Sequence, residues 1–97
     1  MGRNQTIQYT SSKMALEALT EGLYRIGADK NVLVNTLRPG IVETRMQIGR
    51  ENLQDRVNMI PLKKMASTKD IANLVSFLVS DKAGHITGQT ISVAGGE

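Results

Sequence analysis

Cysteine and tryptophan are absent from the 97 residues. Without cysteine there is no disulfide, no thiolate nucleophile and no cysteine metal site. That composition suits a reducing compartment, and a cytoplasmic location is expected. A single histidine, His85, has no second histidine to complete a metal site, so no metal is expected. It reads as a turn or interface residue. The aromatics are only Tyr9, Tyr24 and Phe77. The net charge is +3, from 12 Lys and Arg against 9 Asp and Glu, but no basic run exceeds two residues. Scattered charge without interleaved aromatics argues against nucleic-acid binding. No apolar run approaches a membrane span, and the start has no signal-peptide core, so no membrane partner is expected. A chain of this length makes one small domain of marginal stability. No repeat, low-complexity segment or domain boundary interrupts it.

Only two prolines are present, and both mark the ends of segments. Residues 1–8 are polar and read as a loop. A first helix is expected from about Thr10 to Ile26, with Ala15, Leu16, Leu19, Leu23 and Ile26 as its packed stripe. Leu19 and Leu23 alternatively serve a subunit interface. Gly27 marks the expected helix end. Val32–Leu37 is a first strand, apolar enough to be covered on both faces, as in a parallel sheet. Pro39-Gly40 stops it. From Ile41 to Leu62 no clean period holds. One or two short helices in a mobile flap are expected there, Arg50–Asn58 being the better helical candidate; a surface linker is the alternative. Ser67 and Asp70 form a capping box that opens a helix carrying Ile71, Leu74, Val75 and Leu78, ending near Ser80 or Asp81. Gln89–Ala94 is a second strand, closed by Gly95-Gly96.

Three helices and two strands make an incomplete sheet. Two parallel strands need neighbours or helices on both faces. An uncharged first strand left bare would be an aggregation-prone edge. These elements therefore predict part of a larger α/β domain, or a chain completed by a partner.

The chemistry-bearing pair is Tyr9 and Lys13. Four residues apart, they share one helix face. A cation beside a phenol favours the phenolate, which is the physical basis of a tyrosine general acid/base. By itself such a pair more often decorates a surface.

Three features together are more specific: Tyr9-x-x-x-Lys13, Arg38-Pro-Gly-Ile-Val-Glu-Thr44, and the tail Ile86-Thr-Gly-Gln-Thr-Ile-Ser-Val-Ala-Gly-Gly96. In order and spacing the chain resembles the carboxy-terminal part of a classical short-chain dehydrogenase/reductase. The resemblance covers nearly all of this chain but less than half of a typical member. It implies an α/β fold, the carboxy-terminal portion of a doubly wound, Rossmann-like parallel sheet. Residues 1–97 would form a partial domain lacking the amino-terminal nucleotide-binding half.

The resemblance also implies roles. Tyr9 would exchange a proton with the substrate oxygen. Lys13 would assist Tyr9 and hydrogen-bond the nicotinamide ribose. Pro39, Gly40 and Ile41 would lie along the cofactor, the bare Gly40 permitting close backbone approach. Thr44 would hold the carboxamide; a helix-capping role is the alternative. Residues from about Glu43 to Pro61 would form the substrate loop, with Met46, Ile48, Leu53 and Met59 as an apolar lining. Ser12 matches a structural or cofactor-side serine. The family's catalytic serine and asparagine, and its glycine-rich nucleotide turn, have no counterpart here. The implied cofactor is NAD or NADP, and the implied substrate is a small carbonyl compound or secondary alcohol. The intact protein would be a homo-oligomeric oxidoreductase, and this chain alone an inactive fragment. The alternative is a non-catalytic association module that pairs with itself or with a full-length relative.

Overall fold

A computed structural model describes residues 3–44 and 52–97. The elements run α1 (Arg3–Ala28), β1 (Thr36–Pro39), α2 (Leu53–Asn58), α3 (Thr68–Leu78), a 3-10 turn (Asp81–Ala83) and β2 (Thr90–Val93). They fall into two compact units. One lies within Met1–Thr36 and His85–Thr90, the other within Leu37–Gly84 and Ile91–Glu97. Each unit is built from two stretches of chain, which is why no linker is visible in the sequence.

β1 and β2 are parallel neighbours. The Thr36 N–H donates to the Gln89 carbonyl at 2.8 Å, and the Gly40 N–H to the Val93 carbonyl at 3.0 Å. The fold is thus a partial Rossmann-like sheet, two strands with three α-helices, as the element count predicts.

The first strand is shorter than the apolar run suggests. Val32–Asn35 precede the ladder and are tied down by other bonds. The Val34 N–H donates to the Thr87 hydroxyl at 3.0 Å, and the Gly88 N–H donates to the Val34 carbonyl at 2.8 Å. The Asn35 side chain donates to the Ile86 carbonyl and accepts from the Gln89 N–H, each at 3.1 Å. Side-chain groups take the place of a ladder here, so strand geometry begins only at Thr36.

In the first unit, α1 starts at Arg3, not Thr10. No proline or glycine lies between Arg3 and Ile26 except Gly22, so nothing breaks the hydrogen-bond ladder upstream of Tyr9. The expected packed stripe is open: Leu16, Leu19, Leu23 and Ile26 are 50%, 55%, 40% and 69% exposed. Thr20, Tyr24 and Gly27 make the covered face instead. A Cβ at Gly27 would lie 2.7 Å from the Val32 carbonyl oxygen, so the returning chain requires glycine there. The left-handed residue that turns the chain is Asn31, φ 56°. Gly88 (φ +74°) lies against the Tyr24 ring, where an added Cβ would come within 2.9 Å.

Thr20 and Thr36 are both buried and their hydroxyls are hydrogen-bonded. Thr20 also donates to the Leu16 carbonyl at 3.2 Å. A hydroxyl has one proton, so Thr36 must be the donor to Thr20.

In the second unit, Ile41, Val57, Ile60 and Ala83 are the buried apolar residues. α2 lies inside the expected Arg50–Asn58 helix; Arg50 and Glu51 fall outside the described residues. α3 has the expected capping box. The Ser67 N–H donates to the Asp70 carboxylate at 2.8 Å, and the Asp70 N–H to the Ser67 hydroxyl at 3.1 Å. Ile71, Leu74 and Leu78 are half-buried, whereas Val75 and Val79 are exposed. The helix stops at Leu78, two residues early, and the Ser80 hydroxyl donates to the Phe77 carbonyl at 2.6 Å.

Two outcomes follow. Thr20→Val leaves the Thr36 hydroxyl without its acceptor and should cost about 1–3 kcal/mol in a urea melt, while Thr20→Val with Thr36→Val should recover most of that loss. The Asp70 carboxyl is held below its ordinary value of 3.8, first by the Ser67 N–H and then by the Ser67 hydroxyl. Its capping contribution is therefore complete above that value and is lost as pH falls through the lower native one. Hydrogen exchange should show the first turn of α3 evenly protected down to about pH 4 and opening below it. Asp70→Asn should flatten that acid limb.

Candidate active site

α1 places Tyr9 and Lys13 one turn apart on the same face, as their spacing requires. The Lys13 Nζ stands 5.4 Å from the centroid of the Tyr9 ring. That is within cation–π range. Tyr9 is 57% exposed, and Lys13 is exposed as well. The Ser12 hydroxyl donates to the Tyr9 carbonyl at 2.7 Å, so its proton is committed to the helix backbone.

Pro39, Gly40, Ile41 and Thr44 belong to the second unit. Pro39 is exposed, Gly40 and Thr44 are half-buried, and Ile41 is buried. The Ile41 carbonyl accepts from the Ala66 N–H at 2.9 Å, and the Glu43 N–H donates to the Ala66 carbonyl at 2.8 Å. These bonds frame an isolated parallel bridge between Val42 and Ala66. The segment after β1 is thus held in place by Ala66.

Position 40 also has a packing reason for glycine. A Cβ there would lie 2.8 Å from the Ala94 Cβ and 2.9 Å from its Cα. The missing side chain is already used by the end of β2. Ala66 and Ala94 were not singled out in the sequence, because an alanine carries no chemical signal; only pairing identifies them.

Of the expected substrate-loop lining, Met46 and Ile48 lie outside the described residues. Leu53 is half-buried at the start of α2, and Met59 is exposed just beyond its end. The second unit also has an open pocket of about 330 Å³, lined by Leu62, Lys64, Met65, Ala66, Asp70, Val93 and Gly95. None of the expected site residues lines it. No group of three or more His, Cys, Asp and Glu side chains among the described residues is placed to hold a metal ion. No helix among them is long and apolar enough to cross a membrane.

Gly40→Ala should destabilise the second unit by about 1–3 kcal/mol through overpacking. Ala94→Gly in the same chain should restore much of that loss, measured as the shift in denaturation midpoint.

Residues 1–97 match the family model described as Enoyl-(Acyl carrier protein) reductase. The 3-oxoacyl-(acyl-carrier-protein) reductase FabG of Staphylococcus epidermidis is 40% identical over 98 residues, a match that takes in 99% of this chain and 40% of that protein. The chain thus spans about two fifths of that relative's length. Among solved structures, a blue fluorescent protein from a metagenomic library, in complex with NADPH, is 31% identical with a TM-score of 0.86. That likeness covers 91% of this chain and 36% of the other. A 4-hydroxyisoleucine dehydrogenase complexed with NADH is 28% identical with a TM-score of 0.82, over 91% of this chain and 38% of the other. With the Tyr9–Lys13 pair on an open helix face and the match running the length of the chain, the protein belongs to the enoyl-(acyl carrier protein) reductase family, within the classical short-chain dehydrogenases/reductases.

Proposed function

We propose that this chain is the carboxy-terminal part of an NAD(P)-dependent oxidoreductase that interconverts a carbonyl compound and a secondary alcohol. The observation that carries the proposal is the Tyr9–Lys13 pair, adjacent and exposed on α1. A 3-oxoacyl thioester is the substrate class favoured, on the strength of the FabG relative. Relatives in structure hold NADPH or NADH, and either dinucleotide suits the residues here.

The fit to a nicotinamide cofactor is argued from the donor set. Lys13 offers an ammonium free to face a ribose hydroxyl, since the fold leaves it in the open. Thr44 offers a hydroxyl for the carboxamide. Pro39, Gly40 and Ile41 would contribute backbone only, because Ile41 is buried and Gly40 is packed on Ala94. When bound, the cofactor supplies or accepts the hydride. In reduction the Tyr9 hydroxyl gives its proton to the carbonyl oxygen as that oxygen gains charge; in oxidation the phenolate takes a proton from the alcohol. Lys13 would keep its positive charge beside the Tyr9 ring during the transfer. Residues 43–61 would select the substrate, with Leu53 and Met59 on its apolar side.

The chain by itself would be inactive, because nothing in it supplies a pyrophosphate-binding turn. The intact protein would act in the cytoplasm as a homo-oligomer. The exposed Leu16, Leu19, Leu23 and Ile26 face favours a second reading, in which the chain only associates with another copy or a full-length relative.

Fusing the chain behind the portion of the FabG relative it does not match tests both. The fusion should oxidise NADPH or NADH in the presence of a 3-oxoacyl thioester. Tyr9→Phe should lower kcat by about 10²–10⁴-fold with nucleotide affinity unchanged. Leu53→Ser with Met59→Ser should raise KM for the thioester. A fusion that binds nucleotide but turns over equally with and without the Tyr9 hydroxyl would reject the catalytic assignment and leave the association reading.

A further inference from the structure

Chemistry in this fold is assigned to α1 and the segment after β1, yet close packing in the second unit is also found elsewhere. Ile60 is the largest fully buried side chain among the described residues, 2% exposed. It follows α2 by two residues and sits on the backbone of Gly95. A Cβ at Gly95 would come within 2.8 Å of the Ile60 Cγ2 and 3.4 Å of the Leu62 Cβ. A Cβ at Gly96 would come within 3.1 Å of both the Pro61 Cβ and Cγ. Both glycines have positive φ, +64° and +94°. L-residues with side chains rarely adopt that backbone.

The contact is also hydrogen-bonded. The Leu62 N–H donates to the Gly95 carbonyl at 3.1 Å. The Ile60 N–H returns to the Val57 carbonyl at 3.0 Å, and the Lys63 N–H to the Ile60 carbonyl at 2.8 Å. Lys63 has φ 61°, and its ammonium donates to the Asn58 carbonyl at the end of α2. Three consecutive residues, Ile60 to Leu62, are thereby seated on two consecutive glycines.

We propose that Gly95 and Gly96 are positioning residues for α2: they pin the chain immediately after it and so fix where Leu53 and Met59 stand. Without side chains at 95 and 96, the Ile60–Leu62 turn sits directly on the end of β2. α2 has only six residues. A helix that short holds its place through tertiary contacts and not through its own propensity. Its downstream end has Val57 and Ile60 as buried anchors, and the Ile60 anchor bears on Gly95. The specificity consequence rests on the reading of residues 43–61 as the substrate loop; the pinning does not.

Hydrogen exchange on this 97-residue chain tests the pinning directly. Gly95→Asn keeps the left-handed backbone accessible and adds a side chain against Ile60. It should speed exchange across Leu53–Leu62 by about tenfold or more while leaving Asp70–Leu78 and α1 unchanged. Adding Ile60→Leu, which removes the Cγ2 methyl that Gly95 bears on, should slow that exchange again. Gly96→Ala gives an independent variant through Pro61, with the same local pattern expected. Acceleration of all helices together would mean a general stabilising role and overturn the proposal. Equal exchange in parent and variants, whether both protected or both open, would overturn it too. Because exchange needs neither cofactor nor substrate, its result stands apart from the KM effect of Leu53→Ser with Met59→Ser, which tests the substrate-loop reading.

Discussion

Residues 34–40 are hydrogen-bonded to residues 87–93, and the rest of the structure depends on that pairing. It joins stretches more than fifty positions apart. Parallel strands cannot be joined by a tight turn; they need a long crossover, here residues 41–89 with α2, α3 and the 3-10 turn. The ladder proper is only four residues long on each side. Its upstream end is therefore reinforced by side chains. Asn35 uses both its amide hydrogen and its oxygen, and Thr87 offers a hydroxyl to Val34. Such bonds are directional, so they set register in a way that a row of Val and Leu would not.

Glycines complete the arrangement at four close contacts. Gly27 receives Val32, Gly40 receives Ala94, Gly88 receives Tyr24, and Gly95 receives Ile60. Each is a place where one β-carbon would force the chains apart. The motif resemblance identifies Gly40 with the cofactor; the packing on Ala94 gives the same residue a place in the fold. One residue can serve both ends, since a backbone held by Ala94 and Ala66 is also a backbone presented in a defined place.

The open face of α1 is what belonging to a longer family architecture would leave behind. Leu16, Leu19, Leu23 and Ile26 form a regular apolar stripe, yet the contacts of this helix run through Thr20, Tyr24 and Gly27. Burying a leucine is worth about 2 kcal/mol, so four exposed in a row represent stabilisation that the chain does not collect from its own residues. Tyr9 and Lys13 share the helix but not the packing. Both side chains stand in the open.

The sequence by itself determined the class of fold, the body of the helix after Tyr9 though not its start, the capping box at Ser67 and Asp70, and the family. All of these are local: a four-residue spacing, a three-residue cap and short motifs are complete within one turn or one strand. Which face of α1 is covered, where β1 starts, and why position 40 is glycine were decided by the tertiary structure. A leucine stripe is amphipathic whether or not a partner is present, so periodicity says that a face can be buried and not that it is. The start of β1 depends on Asn35 and Thr87 meeting across fifty residues. The use of Gly40, Gly95 and Gly96 depends on Ala94, Ile60 and Pro61 arriving from elsewhere in the chain. Contacts of that separation leave no periodic trace, and only the folded chain brings them together.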